Sequence, residues 1–330
     1  MIITRTPFRI SFFGGGTDYP AWYQEHGGAV LSTTIDKYCF ITVRDLPSFF
    51  DYNFRIRYYK REETQTVDEI LHPSVRECLR FVKWQTGVEM VHSADLPAQS
   101  GLGSSSTFTV GLLNALYSLQ YKLPTKRELA LSAIHVEQKM IGENVGSQDQ
   151  TSAAFGGLNY IEFGSIQHIS VQPLIMRPDK LAAFQNHLML FFTGFSRVAS
   201  DIAGEQIKLI PNKTDALHQM RSMVHEAVTI LLSEGDDLGD FGRLLHQQWL
   251  IKRSMTHLIS NPHIDQIYQT GLQAGAIGGK LLGAGGGGFM LFFAHPDQHD
   301  SIRSALHNLL HVPFRFEQLG SQVIYHGHHS

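Results

Sequence analysis

Leu96-Pro97-Ala98-Gln99-Ser100-Gly101-Leu102-Gly103-Ser104-Ser105-Ser106 separates two stretches of different period. Residues 88–94, ahead of it, read as a strand. Val110, Leu113, Asn114 and Tyr117, after it, recur at helix spacing. Gly101 and Gly103 allow a tight turn and a close approach of backbone to a ligand. Residues 104–106 then open the helix, where unpaired N–H groups and the positive dipole end favour an anion. Serine hydroxyls there also suit a phosphate-bound cation. A serine N-cap accounts for the serines but not for the Gly-Leu-Gly before them.

Three better-known motifs are excluded. Gly279-Lys280 is no Walker A loop, because Ala274 stands at its first glycine and Leu281 at its Ser/Thr. Ser106 occupies the last glycine of a Gly-x-Gly-x-x-Gly fingerprint. Ser106 and Thr107 follow Ser105, so no nucleophile elbow is present.

Two further glycine clusters flank this one in the chain. Near the start, Pro7-Phe8-Arg9-Ile10-Ser11-Phe12-Phe13-Gly14-Gly15-Gly16-Thr17-Asp18 runs a strand bearing an arginine into three glycines and an aspartate. Asp18 can accept hydrogen bonds from polyol hydroxyls, or cap the helix that follows. Near the end, Gly278-Gly279-Lys280-Leu281-Leu282-Gly283-Ala284-Gly285-Gly286-Gly287-Gly288 precedes an apolar strand. So many glycines are costly to order. They fit a place where bulkier residues would collide with a substrate or a neighbouring loop.

The first third reads as β-rich, with short strands at residues 2–4, 9–13, 29–34, 38–43 and 55–59. Val75, Leu79 and Val82 make one helical face, and residues 126–140 a further helix. Residues 157–163 and 166–171 form a hairpin pattern, and the prolines at 173 and 178 mark the linker. Beyond it come a strand at 188–193, helices at 213–233, 238–259 and 264–274, a strand at 289–294, a helix at 298–310 and a last strand at 314–318. Strands and helices do not alternate strictly, which predicts an α+β architecture in two parts. The His-rich tail at 326–329 reads as a frayed terminus.

The 330 residues suffice for about two domains. Hydrophobic residues at 43% and charged residues at 17% predict a packed core. With 27 Lys+Arg against 30 Asp+Glu the chain lacks the basic footprint of a general nucleic-acid binder. Cys39 and Cys78 cannot build a disulfide framework, and neither a signal peptide nor a membrane-length apolar run is seen. A soluble cytoplasmic protein is expected.

The three glycine segments, in this order, resemble the GHMP superfamily of small-molecule kinases over residues 3–293. The Pro-x-x-x-Gly-Leu-Gly-Ser-Ser pattern with a late Gly-Ala-Gly-Gly-Gly loop carries the resemblance. Within the superfamily, Gly14-Gly15-Gly16-Thr17-Asp18, Gln148-Asp149-Gln150 and residues 192–197 (Phe-Thr-Gly-Phe-Ser-Arg) look most similar to D-glycero-D-manno-heptose 7-phosphate kinases. L-fucose kinases share part of this. Galactokinases have Glu-His in place of Gly15-Gly16, and Thr17-Asp18 disfavours the isoprenoid-pathway kinases.

The resemblance implies a ribosomal-protein-like N-terminal α/β domain (1–175), which binds ATP, and a ferredoxin-like C-terminal domain (176–330). It implies Mg²⁺-dependent transfer of a phosphoryl group from ATP to the anomeric hydroxyl of a sugar. A non-catalytic sensor of sugar and ATP is the alternative from another class. Gly101, Leu102, Gly103, Ser104 and Ser105 would hold the phosphates. Ser105 and Glu137 would bind the metal, with Ser104 second to Ser105; without the resemblance Glu137 reads as an exposed helix carboxylate. Asp149 matches the catalytic aspartate, although its position also suits a helix N-cap. Arg9 matches its basic partner, and a guanidinium there would offset charge on the transferring phosphoryl group. Gly16, Thr17, Asp18, Gly285 and Gly286 would contact the sugar. Ser196 and Arg197 would take a sugar phosphate, with Lys37 and Lys252 as weaker candidates. The expected partner is a small-molecule sugar or sugar phosphate, without nucleic acid or membrane, and a homodimer is the oligomeric option.

Overall fold

The computed structural model describes residues 1–98, 100–165, 168–194 and 199–327. The chain opens with β1 (Ile2–Phe13), α1 (Pro20–His26), β2 (Gly28–Asp45), β3 (Phe54–Arg57), β4 (Arg61–Thr64), α2 (Pro73–Phe81) and β5 (Val88–Ala94). It continues through α3 (Ser104–Leu119), α4 (Lys126–His135), α5 (Gln148–Phe155), β6 (Asn159–Ser165), β7 (His168–Pro173) and α6 (Pro178–Asn186). Next come β8 (Leu188–Phe192), α7 (Ala199–Leu209), α8 (Thr214–Leu232), α9 (Gly239–Arg253), α10 (Pro262–Gln273), β9 (Ala276–Leu281) and β10 (Phe289–Ala294). The chain closes with α11 (His299–Ala305), β11 (Leu310–His311), β12 (Phe316–Glu317) and β13 (Gln322–His326).

Two sheets carry the fold. The larger has nine strands along the path β13-β1-β2-β5-β3-β4, with β6 and β12 also on β2 and β7 on β6. The smaller runs β11-β8-β10-β9. Strand β2 is 18 residues long and holds β1 along one edge. Its other edge pairs with β6 at residues 28–32 and with β5 at residues 39–45. The expected breaks within residues 2–13 and 28–45 are therefore absent. Pro7 stays in β1 because the register shifts between Pro7 and Arg9, and such an irregularity tolerates a residue without an N–H.

A second register shift, between Ser11 and Phe13, frees carbonyls that other residues take up. Lys280 Nζ donates to Ser11 O at 2.8 Å and Phe12 O at 2.9 Å, and Gln248 Nε2 donates to Phe12 O at 3.1 Å. Helix α3 lies on β1 and β2. It buries an unbroken run from Ser106 to Leu116, the pattern of a helix inside a core rather than on its surface. An aromatic cluster joins the two sheets through β1, α6, α9 and β10. Its ring centroids are 5.4 Å apart for Phe12–Phe184, 4.8 Å for Phe184–Phe241 and 5.4 Å for Phe241–Phe293.

Other boundaries differ from the sequence expectation. The Ser254 hydroxyl donates to Ile251 O at 2.7 Å and α9 stops at Arg253, not at 259. Helix α11 stops at Ala305 because Leu310 and His311 pair with β8. Residues 276–281 form β9 rather than loop, and α6 begins at Pro178, where the sequence reading places only a linker. The last strand is β13, not 314–318, and Ile2 pairs with His326, so the chain is not frayed there. The remaining tail histidines lie outside the described residues. No helix among the described residues is long and apolar enough to cross a membrane.

Candidate active site

Strand β1 delivers Arg9, and α5 delivers Asp149 in its first turn. Arg9 Nε donates to Asp149 Oδ1 and Nη2 to Oδ2, both at 2.8 Å, a bidentate pair. Arg9 Nη1 donates to Gly101 O at 2.7 Å, and the Arg9 N–H donates to Leu102 O at 3.1 Å. One arginine thus ties strand, glycine loop and carboxylate together with almost no exposure. Asp149 does not cap its helix; Ser147 holds the N-cap position.

The glycine loop ends at Gly103, the left-handed N-cap of α3. The first turn, residues 104–106, forms one wall of a cleft. Arg9, Gly101, Gly103 and Asp149 line it beside that turn, and Gly15, Gly16 and Asp18 lie across it. The late glycine loop interleaves with the first. A Cβ on Gly283 would stand 2.5 Å from Gly101 Cα, and one on Gly288 would stand 2.2 Å from Ser100 O. These glycines permit backbone-to-backbone contact between segments almost 200 residues apart in sequence.

Asp18 is buried, and Tyr19, not Asp18, holds the N-cap position of α1, the helix that follows. Its Oδ1 accepts from the Gly16 N–H at 2.9 Å, and its Oδ2 from the Gln148 N–H at 3.4 Å. Burial raises its pKa, and the Asp149 charge adds to that, against the lowering by these hydrogen bonds. A Cβ on Gly146 would fall 1.8 Å from Asp18 Oδ2, so only glycine fits behind this carboxylate.

Glu137 follows α4 in a π-helical stretch, Val136–Ile141, a winding often found at functional sites. It is wholly buried, not an exposed carboxylate, and sits behind Ser106 rather than on the cleft wall. Ser106 Oγ donates to Glu137 Oε2 at 2.8 Å, and Gln150 Nε2 donates to the same oxygen. Oε1 has no hydrogen-bond partner among the described residues. Burial, then the Glu143 charge, push this carboxyl up to about 7.

A raised carboxyl stabilises the fold below the ordinary range near 4.5, and that stability is lost as pH rises through about 7. Without divalent cations, thermal unfolding should therefore show a loss of up to about 3 kcal/mol from pH ~5 to ~8. Glu137→Gln should flatten the curve. An unchanged pH profile in that variant would mean Glu137 does not titrate as described.

The structure brings together Arg9, Gly16, Asp18, Gly101, Gly103, Ser104, Ser105 and Asp149 around one cleft. Leu102 is buried beneath it. Thr17, expected against the sugar, is bound to backbone: its hydroxyl donates to Gly14 O at 2.8 Å, and the Ala29 N–H donates to it at 3.1 Å. Gly285 and Gly286 pack on Ile259 rather than on the cleft, where the Gly286 N–H donates to Ile259 O at 2.9 Å. Gly283 and Ala284 line the cleft in their place. Ser196 and Arg197 lie outside the described residues. Lys37 pairs with Asp36, and Lys252 reaches the cleft from the last turn of α9. Sequence reasoning missed Tyr19, Glu143, Asn144 and Gln206, which also line it and carry no motif.

Fold and site together describe a small-molecule phosphotransferase. Family models for the GHMP kinases N terminal domain and the GHMP kinases C terminal match residues 71–157 and 227–311. The D-glycero-alpha-D-manno-heptose 7-phosphate kinase of Campylobacter jejuni is 30% identical, over 92% of this chain and 93% of its own. The galactokinase of Pyrococcus furiosus is 26% identical over 92% of each. A D-glycero-D-manno-heptose 1-phosphate kinase from Bacteroides thetaiotaomicron shares the fold, with a TM-score of 0.81 and 24% identity over 99% of this chain and 100% of that one. The chain belongs to the GHMP kinases, with their two-domain fold, and is a sugar kinase of that family with ATP as cosubstrate.

Proposed function

We propose that this kinase phosphorylates the anomeric hydroxyl of D-glycero-D-manno-heptose 7-phosphate, giving the 1,7-bisphosphate. The observation that carries the reading is the bidentate Arg9–Asp149 pair, set between the glycine loop and the Asp18 turn. In this reading residues 1–175 form the ATP-binding unit and 176–330 the second unit, whose last strands rejoin the first sheet. The Campylobacter relative's named substrate supports the choice of sugar.

The residues share the work as follows. The N–H groups of Gly101, Leu102, Gly103, Ser104 and Ser105 hold the ATP phosphates at the positive end of α3. Asp18, with Gly16, receives the sugar. Asp149 accepts the hydroxyl proton or orients the hydroxyl, and Arg9 holds Asp149 in place while offsetting negative charge. Ser105, on the cleft wall, would offer Mg²⁺ an oxygen ligand of the kind hard cations take, and Glu137, one layer behind at Ser106, would add its buried Oε1, which lacks a partner. When bound, Mg²⁺ neutralises phosphate charge.

ADP release, measured with Mg²⁺ and the heptose 7-phosphate, galactose, fucose and mannose in turn, tests the assignment. The heptose phosphate should give a kcat/KM at least about tenfold above the others, a margin of about 1.4 kcal/mol. Fastest turnover of fucose would move the assignment to a fucose 1-kinase. No turnover of any sugar would favour a sensor.

A further inference from the structure

We infer that Lys252 is the second phosphoryl-binding cation of this site, donating to the group in transfer from the side opposite Arg9. The inference rests on the kinase reading above. Among the described residues, the cleft wall carries two cations, Arg9 and Lys252. The Arg9 guanidinium already has a carboxylate partner: Nε and Nη2 donate to Asp149 and Nη1 to Gly101 O, leaving one N–H on each Nη. Lys280, the third cation nearby, is spent on the carbonyls of Ser11 and Phe12 and is not on the wall.

Lys252 differs from both. It is buried, and its Nζ donates to one acceptor, Gly283 O, at 2.7 Å. It makes no ion pair with a described carboxylate, which leaves two N–H groups of an ammonium unused. A buried ammonium in that state is costly unless an anion joins it. Its position identifies which anion. Gly283 belongs to the loop that interleaves with the phosphate loop at Gly101. On the other side, Nζ lies 3.8 Å from where a Cβ on Gly15 would stand, at the sugar-side turn. The ammonium therefore bridges the nucleotide and sugar sides, the passage a phosphoryl group must cross.

The charges facing it are the carboxylates of Asp18 and Asp149, which favour its protonated form, and Arg9 and Lys280, which oppose it. Glu143 also stands on the cleft wall. Burial is the largest effect and brings the Lys252 pKa down to about 8. In the step itself, the sugar hydroxyl oxygen forms a bond to the γ-phosphorus as the bond from phosphorus to the β,γ-bridging oxygen breaks. The hydroxyl proton leaves toward Asp149 or water, ADP departs, and Lys252 keeps its proton throughout.

Calorimetric titration of the whole protein with the Mg²⁺ complexes of β,γ-imido-ATP and ADP provides the test. Lys252→Met should weaken the imido analogue about tenfold or more and ADP by less than about threefold, since a charge-assisted hydrogen bond to the γ-phosphoryl group is lost only from the former. In the heptose phosphate assay the same variant should lose about 10²-fold in kcat. Equal weakening of both nucleotides, or a kcat within about threefold of wild type, overturns the inference. If Lys252→Met does not fold, wild type and Lys252→Arg carry the test. Wild-type preference for the imido analogue should fall as pH rises through about 8, and Lys252→Arg should flatten that fall. A wild-type preference constant across this range overturns it. Absence of turnover with every sugar would sink the sugar assignment while leaving the nucleotide titration to judge Lys252.

Discussion

Asp149→Asn should bind ATP with wild-type affinity and lose about 10²–10⁴-fold in turnover, the range for removing a positioned proton acceptor. The carboxamide has nearly the carboxylate's shape, so the α5 first turn and the glycine loop keep their places. What changes is charge and bonding. Arg9 Nε and Nη2 now meet two carboxylate oxygens; an asparagine offers them one acceptor and turns an NH₂ group toward a cation. The Arg9 side chain is 4% exposed, so little water can replace the lost partner. Breaking a buried pair of this kind costs about 3–5 kcal/mol, so the melting temperature should drop alongside activity. Steady-state ADP release, calorimetric ATP binding and thermal unfolding on one preparation separate the effects. Turnover within about tenfold of wild type would remove Asp149 from the chemistry.

The glycine segments made the backbone of the cleft wall legible in the sequence, because a Gly-x-Gly ahead of an apolar-periodic helix has few physical uses. The same reasoning pointed to Asp18, beside the first of those turns, whereas Arg9 and Asp149 were legible as site residues only through the resemblance to the GHMP kinases. It placed Glu137 on a helix but could not show that α4 widens into a π-turn, since nothing in Val136–Ile141 marks that winding. Burial of Glu137 follows from packing against Ser106 and Gln150, a long-range fact. Thr17 misled for a related reason: hydroxyls in glycine turns serve ligands or backbone equally well, and here Gly14 O and Ala29 claim it. Strand continuity in β1 and β2 was hidden because Pro7 and Asp36 look like breakers until a register shift accommodates the proline. Lys252 lies on a helix whose local pattern says only that it is partly buried. Its reach into the cleft depends on Gly283, some thirty residues later.

Gly101→Ala separates two reasons for a glycine in the proposed phosphate loop, and Gly142→Ala is its control. Both glycines adopt left-handed φ, +83° at Gly101 and +78° at Gly142. A side chain in that region costs about 1–2 kcal/mol whatever surrounds it. At Gly142 a Cβ meets nothing within 4 Å, so Gly142→Ala should cost that much stability and leave KM for ATP unchanged. At Gly101 a Cβ would stand 2.5 Å from Leu282 O and 3.0 Å from Leu282 C. Both atoms are backbone of the late glycine loop, which is held to β10 by the Leu282 N–H donating to Phe289 O at 2.9 Å. That loop cannot yield by a rotamer change, so the phosphate loop must move instead, taking with it Gly101 O, the acceptor of Arg9 Nη1. Gly101→Ala should therefore lose about 3–4 kcal/mol of stability. Displaced phosphate-loop N–H groups should also raise KM for ATP by about tenfold to a hundredfold, the equivalent of one or two hydrogen bonds. Chemical denaturation and nucleotide titration of the two variants measure both quantities. Equal losses would mean that backbone conformation alone selects glycine at 101, and that the interlock between the two loops contributes nothing to nucleotide binding.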